Sequence, residues 1–252
     1  MSQVADLYGE LSVNGPYGTL APGNKGGRKS RYVSDVFDAS LLPILEQRAS
    51  SKDRLLDYGC GTGIFSVKAA RLVGEVAGLD VSTAMLEWGR KLQAELGLEN
   101  MRWLRGDGRS IPMADESVDW VVARESLCYV PEDALRGVLE EIRRVLSPGG
   151  HFLWLEQVSD SPNFRRQPAA PLLEKRPSSM LIECGRQAGM QLQEAYCVRE
   201  PRFPWIYLIW AGLVPQALSP HLARWEVAIN RRFGKLHARR WKDALMVFRK
   251  PA

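Results

Sequence analysis

From Arg54 to Gln157 the chain alternates short apolar runs with amphipathic stretches, and no other feature restricts its fold so strongly. The apolar runs predict strands over Arg54 to Asp57, Glu75 to Asp80, Met101 to Arg105, Val118 to Ala123 and His151 to Gln157. Helical spacing fills the gaps at Gly63 to Leu72, Ser82 to Leu96 and Glu132 to Leu146, the last stopped by Ser147-Pro148-Gly149-Gly150. Strands separated by helices pair in parallel and are covered on both faces, so the core is expected to be a buried parallel α/β sheet.

Outside this stretch the spacing of Val33, Val36, Phe37, Leu41, Leu42 and Leu45 predicts a capping helix from Arg31, with Pro43 as its point of strain. Ser12 to Ser30 is rich in Gly, Pro and Asn and is expected to act as a mobile leader or lid. A helix near Ser178 to Ala188 and strands near Leu192 to Val198 and Ala244 to Arg249 complete the core. The segment between those two strands is too long for a hairpin loop and is expected to be a functional insertion. The predicted division is a leader and cap helix (1–53), a core (54–200), an aromatic and basic insertion (201–243) and a last core strand (244–252).

Composition narrows the setting. The chain of 252 residues carries a formal charge of +5, and the excess is local: nine Lys and Arg between Arg224 and Lys250 face only Glu226 and Asp243. Cys60, Cys128, Cys184 and Cys197 lack metal-ligand spacing, and no start resembling a secretory signal is seen, which points to a reducing cytoplasm and no structural metal. No run approaches the roughly 18 apolar residues of a spanning helix.

The first strand leads into LLDYGCGTGIFS, residues 55–66. Glycines in a strand-to-helix turn let a ligand approach the backbone closely. A dinucleotide fingerprint needs glycine where Ile64 stands, and a triphosphate loop needs a Lys that is absent. A carboxylate at Asp57 would repel a pyrophosphate and attract an ammonium or sulfonium group. At the next two strand ends, Asp80 is placed to accept from ribose hydroxyls and Asp107 from an exocyclic amine.

LLDYGCGTG, GLDVSTAML, GDGRSIPMADESVDWVV and RVLSPGG, taken in order, resemble class I S-adenosylmethionine-dependent methyltransferases of the small-molecule type. The resemblance implies a Rossmann-like, doubly wound, seven-stranded sheet, mostly parallel with an antiparallel last strand. It implies S-adenosyl-L-methionine as cofactor and S-adenosyl-L-homocysteine as product. By it, Asp57, Gly59, Cys60 and Gly61 hold the methionine part, Asp80 the ribose, Val81 and Met85 the adenine side, Asp107 and the Gly108 backbone the adenine, and Arg124 lies near the methionine end. The chain departs from the pattern in two places. Many relatives carry a His after the fourth strand where this one reads Leu127-Cys128-Tyr129-Val130, and GDG replaces GDA.

Methyl transfer needs alignment and exclusion of water, and a poorly acidic hydroxyl also needs a base. The candidate bases are Glu125, Tyr129 and Glu156 at strand ends and His221 and His237 in the insertion. The aromatic run FPWIYLIW beside RRFGKLHARRW suits a lipid-linked or phosphate-bearing acceptor, foremost a saccharide hydroxyl on a carrier lipid, with peripheral contact to an anionic membrane. The alternatives are a quinone or other prenylated acceptor, a nucleic acid stacked on Trp225, Phe233 and Trp241, and a non-catalytic protein that keeps the cofactor pocket. ARES after the fourth strand lacks the acceptor motif of base methylation, and retention of all three turn acids argues against loss of catalysis.

Overall fold

The computed structural model describes residues 2–18, 27–166, 172–200 and 205–252. Its strands are β1 (Arg54–Tyr58), β2 (Glu75–Asp80), β3 (Met101–Arg105), β4 (Val118–Arg124), β5 (Leu146–Val158), β6 (Gln191–Arg199) and β7 (Lys242–Arg249). They form one sheet of order β3-β2-β1-β4-β5-β7-β6. The first five pair in parallel, and β7 lies antiparallel between β5 and β6. This is the doubly wound sheet with a reversed last strand expected from the sequence. Successive strands step outward from β1 one way and from β4 the other, so a crevice opens at the carboxyl ends between β1 and β4.

The helices are α1 (Ser2–Leu11), α2 (Arg28–Arg48), α3 (Ile64–Ala69), α4 (Thr83–Glu95), α5 (Glu132–Val145), α6 (Pro162–Arg165), α7 (Ser178–Gln187), α8 (Trp205–Trp210) and α9 (Ser219–Phe233). α5 buries Leu135, Val138, Leu139, Ile142 and Val145 along one stripe, with Glu132 and Asp133 in its first turn and Arg143 and Arg144 in its last complementing the helix dipole. It packs with α7 on one sheet face, against Val121, Phe152, Trp154 and Phe248. The other face is covered by α2, α3, α8 and α9 through Tyr32, Phe37, Leu41, Phe65, Ile209 and Val227.

α2 begins at Arg28 and continues through Pro43 without interruption, because Leu41, Ile44 and Leu45 on either side of the proline are anchored in the core. Trp103 of β3 occupies room left by three glycines: a Cβ at Gly63, Gly78 or Gly89 would come within 2.4, 2.6 or 2.6 Å of its ring. That packing sets how closely α3, α4 and β2 approach one another.

Two parts of the sequence reading are corrected. The leader contains α1, and it is tied down: Trp88 Nε1 donates to the Ser12 carbonyl at 3.0 Å and Thr62 Oγ1 to the Pro16 carbonyl at 2.7 Å. Val4, Leu7, Tyr8 and Leu11 recur at helical spacing in α1, a signal the sequence reading passed over. Of the expected lid, residues 19–26 lie outside the described residues, as do 201–204 at the start of the insertion. The last strand also starts earlier than expected, at Lys242, because β7 pairs with β5 and β6 from that end.

Candidate active site

The glycine turn follows β1 directly, and all three glycines have positive φ: 70° at Gly59, 54° at Gly61 and 75° at Gly63. The N–H groups of Gly59 and Cys60 both donate to the Leu79 carbonyl, at 2.8 and 3.0 Å, which fastens the turn to the end of β2. Ser126 Oγ donates to the Tyr58 carbonyl at 2.8 Å and ties β1 to the segment after β4. A Cβ at Gly59 would stand 2.3 Å from Ser126 Cβ, whereas one at Gly61 would meet nothing within 4 Å. Gly61 therefore faces open space.

That space is a cavity of about 370 Å³ reaching from the turn to the ends of β6 and β7. One half is lined by Gly59, Cys60, Gly61, Asp80, Val81 and Gly108, at the ends of β1, β2 and β3. Asp80 accepts the Gly61 N–H at 2.8 Å and the Ser82 N–H at 2.9 Å, so its carboxylate is held in place on the wall. Burial displaces its pKa upward. Gly108 has φ 75° and its carbonyl accepts from Tyr58 Oη at 3.0 Å. Arg124 also lines the cavity; its Nη1 is buried and lacks a hydrogen-bond partner among the described residues, with Asp38 Oδ1 3.5 Å away.

Three residues assigned to this half from the sequence lie elsewhere. Asp57 is buried behind the turn, where it accepts from Ser66 Oγ; burial raises its pKa to about 6, with the Arg124 charge pulling it back. Met85 is fully buried inside α4. Asp107 is exposed and is taken up by its own loop, accepting the Arg109 and Ser110 N–H groups at 2.8 and 2.7 Å, which lower its pKa. In that turn an aspartate satisfies local N–H groups, which its spacing in the sequence could not reveal.

The other half of the cavity is walled by Val33, Tyr129, Leu173 and Trp241 and carries Glu125, Gln157, Lys175 and Arg199. Its polar groups come from strand pairing: Gln157 of β5, Asp243 of β7 and Arg199 of β6 stand side by side in register. Glu125 follows β4 at φ 51°, an unusual conformation for a non-glycine residue, and accepts from Gln157 Nε2 at 3.0 Å. Asp243 Oδ2 accepts from Arg199 Nε at 2.5 Å, while its Oδ1 is buried without a hydrogen-bond partner among the described residues. Burial and the Asp243 charge push the Glu125 carboxyl well above the usual carboxylate range. Burial raises the Asp243 carboxyl as well, with the Arg199 charge pulling it back. Lys175 is 1% exposed, and burial lowers its pKa.

Of the five candidate bases, Glu125 and Tyr129 line the cavity. Tyr129 meets Tyr8 of α1 edge to face at 5.5 Å, and burial raises its pKa far beyond the usual phenol value. Glu156 is one residue from Gln157, and the two-residue strand period turns it to the opposite face, where Trp154 Nε1 donates to it at 3.2 Å. His221 and His237 are corrected to exposed surface positions; His237 Nδ1 lies 3.1 Å from Asp160 Oδ2. Lys175, Arg199, Trp241 and Asp243 were not singled out from the sequence. The available signal was that the start of an antiparallel strand shares an end with the carboxyl termini of its parallel neighbours.

These buried carboxyls make stability depend on pH. Burial raises Glu156 and Glu226 to about 7, and Asp57 to about 6. Because the folded state binds these protons more tightly than the unfolded chain, the contribution is complete below the ordinary carboxylate pKa and lost as pH rises through 6–7. Thermal melts of the unliganded chain should show a Tm roughly 5–10 °C lower at pH 8.5 than at pH 5.5. Glu226→Gln, still able to accept from Tyr32, should flatten that slope.

Residues 55–150 match the family model described as Methyltransferase domain. Over 106 residues the chain is 39% identical to a demethylmenaquinone methyltransferase of Staphylococcus aureus (strain MRSA252), an overlap of 41% of this chain and 42% of that one. The chain thus spans less than half the length of the curated relatives it matches. Along nearly its whole length it is similar to the solved structure of the (4+2)-cyclase SpnF, with a TM-score of 0.72, 24% identity and coverage of 99% and 96% of the two chains. It is also similar to a geranyl diphosphate C-methyltransferase from Streptomyces coelicolor A3(2), solved with magnesium, geranyl diphosphate and S-adenosyl-L-homocysteine, with a TM-score of 0.65, 18% identity and coverage of 91% and 86%. These two likenesses concern the fold, which hosts more than one reaction. The matched segment, residues 55–150, runs from β1 through β4 and holds the glycine turn and Asp80.

Proposed function

We propose that this chain transfers a methyl group from S-adenosylmethionine to an oxygen or an activated carbon of a small, flat or prenylated acceptor. The observation that carries the reading is the single cavity joining the glycine turn to Glu125, Lys175 and Arg199. The turn end fits the cofactor. Gly61 leaves room against the backbone, Asp80 offers a fixed carboxylate, and Arg124 Nη1, ion-paired with Asp38 at 3.5 Å but without a hydrogen bond among the described residues, suits a carboxylate. When bound there, the sulfonium cofactor supplies an electrophilic methyl.

The chain's own task is then to position the acceptor and manage its proton. Glu125 lines the cavity with its carboxyl raised towards neutral pH, so when ionised it can receive the proton of an acidic hydroxyl or C–H as the new bond to methyl forms. Lys175 and Arg199 offset negative charge that develops on the acceptor. Val33, Leu173 and Trp241 exclude water and favour an apolar or aromatic ring. This wall is better matched to a quinol-like or prenylated molecule than to a saccharide hydroxyl, the first expectation from the sequence. The S. aureus relative's name supports the same ranking.

The test is incubation of the chain with S-adenosylmethionine and three acceptor classes: reduced naphthoquinols with short prenyl tails, phenols, and sugar nucleotides. The proposal expects a mass gain of one CH2 on a member of the first two classes, with matching formation of S-adenosylhomocysteine. Failure to bind S-adenosylmethionine in calorimetry, or conversion of acceptors without that mass gain, would overturn it.

A further inference from the structure

Of the nine large apolar side chains that stand exposed among the described residues, Val13 and Leu96 are isolated, while Tyr207, Trp210, Leu213, Leu218, Trp225, Ile229 and Phe233 fall in the insertion. The last three line up on α9. Its inner face buries Ala223, Glu226, Val227 and Asn230, with Tyr32 of α2 donating to Glu226 and Asn230 Nδ2 to the Val198 carbonyl. The opposite face presents Trp225, Ile229 and Phe233 at a spacing of one turn, exposed by 70%, 40% and 76%. Leu218, 49% exposed, extends the stripe at the N-terminal end.

The charge on this face has one sign. Glu226 is the sole acid of α9 and is 1% exposed. Arg224 and Arg232 are exposed beside the stripe and form no ion pair among the described residues. Arg231 differs: it pairs with Glu194 at 2.7 Å and lies over the Tyr196 ring. The structure thus separates the free arginines from the engaged one, which the run RRFGKLHARRW did not.

We propose that the outer face of α9 docks onto the surface of an anionic lipid bilayer. Tryptophan and phenylalanine insert at the boundary between headgroups and acyl chains, and arginines at the rim reach phosphate while their stems stay apolar. A second copy of this chain is a poor occupant, because a two-fold contact would set Arg224 and Arg232 against their own equivalents. The face also lies one helix from the acceptor half of the cavity, since α9 packs on α2 and α2 contributes Lys29 and Val33 to the cavity wall. Docking is independent of the proposed reaction and is measured without turnover.

The test is sedimentation of the full chain with vesicles of phosphatidylglycerol and phosphatidylcholine, and with phosphatidylcholine alone, at low and high salt. The anionic vesicles should pellet the protein, more weakly as salt rises, and neutral ones far less. Trp225→Ser with Phe233→Ser should weaken binding at least about tenfold, and Arg224→Gln with Arg232→Gln roughly tenfold on anionic vesicles only. All four positions are exposed, so melting temperatures should be unchanged and serve as the folding control. Absence of pelleting at low salt, equal pelleting of the variants, or a dimer in sedimentation velocity that these substitutions abolish would overturn the proposal. So would binding to single-stranded RNA that competes with vesicles for the wild-type chain.

Discussion

Glu125→Gln is expected to lower kcat by about 10²–10⁴ while leaving S-adenosylmethionine affinity unchanged. Glutamine preserves the volume and a carbonyl oxygen to accept from Gln157, but it removes the ionisable carboxyl from the cavity wall. It also tolerates the left-handed backbone about as well as glutamate does, so the φ of 51° is a cost common to both chains. In the wild type, activity should rise with pH through the ionisation of Glu125, which burial and the Asp243 charge hold above the usual carboxylate range. Asp243→Asn should move or erase that limb. Steady-state rates across pH, alongside calorimetry with the cofactor, check both. Activity of Glu125→Gln within a few fold of wild type would remove Glu125 from the chemistry and leave it a positioning element.

The second large effect separates two glycines of one turn. Gly61→Ala should weaken S-adenosylmethionine binding by roughly 10–100-fold, because its methyl projects into open cavity with no protein atom within 4 Å. The fold should bear this with a loss of about 1 kcal/mol for the left-handed alanine, or roughly 2–4 °C in Tm. Gly63→Ala should do the reverse. Its Cβ would lie 2.4 Å from Trp103 Cη2 and 3.1 Å from the Gly89 Cα, so the ring that seats β2, α3 and α4 must shift. Overpacking of about 1–3 kcal/mol then adds to the backbone cost, with a clearly larger fall in Tm and a smaller fall in affinity. Melting curves and calorimetry on the two variants decide it. Equal affinity in Gly61→Ala and wild type would mean that the cofactor does not cross this point of the turn.

What was legible in the sequence was local. The strand spans Glu75–Asp80 and Met101–Arg105 were read to the residue, because apolar runs there end in glycine and aspartate that no strand continues through. The glycine turn, Asp80 and Arg124 were located for the same reason: each follows directly from the end of its own strand. Asp107, expected beside the adenine, is exposed and accepts N–H groups of its own loop, since the same Gly-Asp-Gly pattern serves a ligand or its own loop.

The acceptor half needed the third dimension. Glu125 follows β4 while Gln157, Arg199 and Asp243 belong to β5, β6 and β7, and the register that sets β7 antiparallel between β5 and β6 brings these last three side by side. The same holds for Tyr8 reaching Tyr129 and for the free arginines of α9, whose status depends on whether Glu194 is within reach. Periodicity and turn chemistry act over a few residues, so the sequence by itself determined the alternating elements and the cofactor turn. Hydrogen-bond partners and burial arise between residues far apart in the chain, so the tertiary structure alone decided which carboxyl is buried beside the cavity and which face of the insertion is left open.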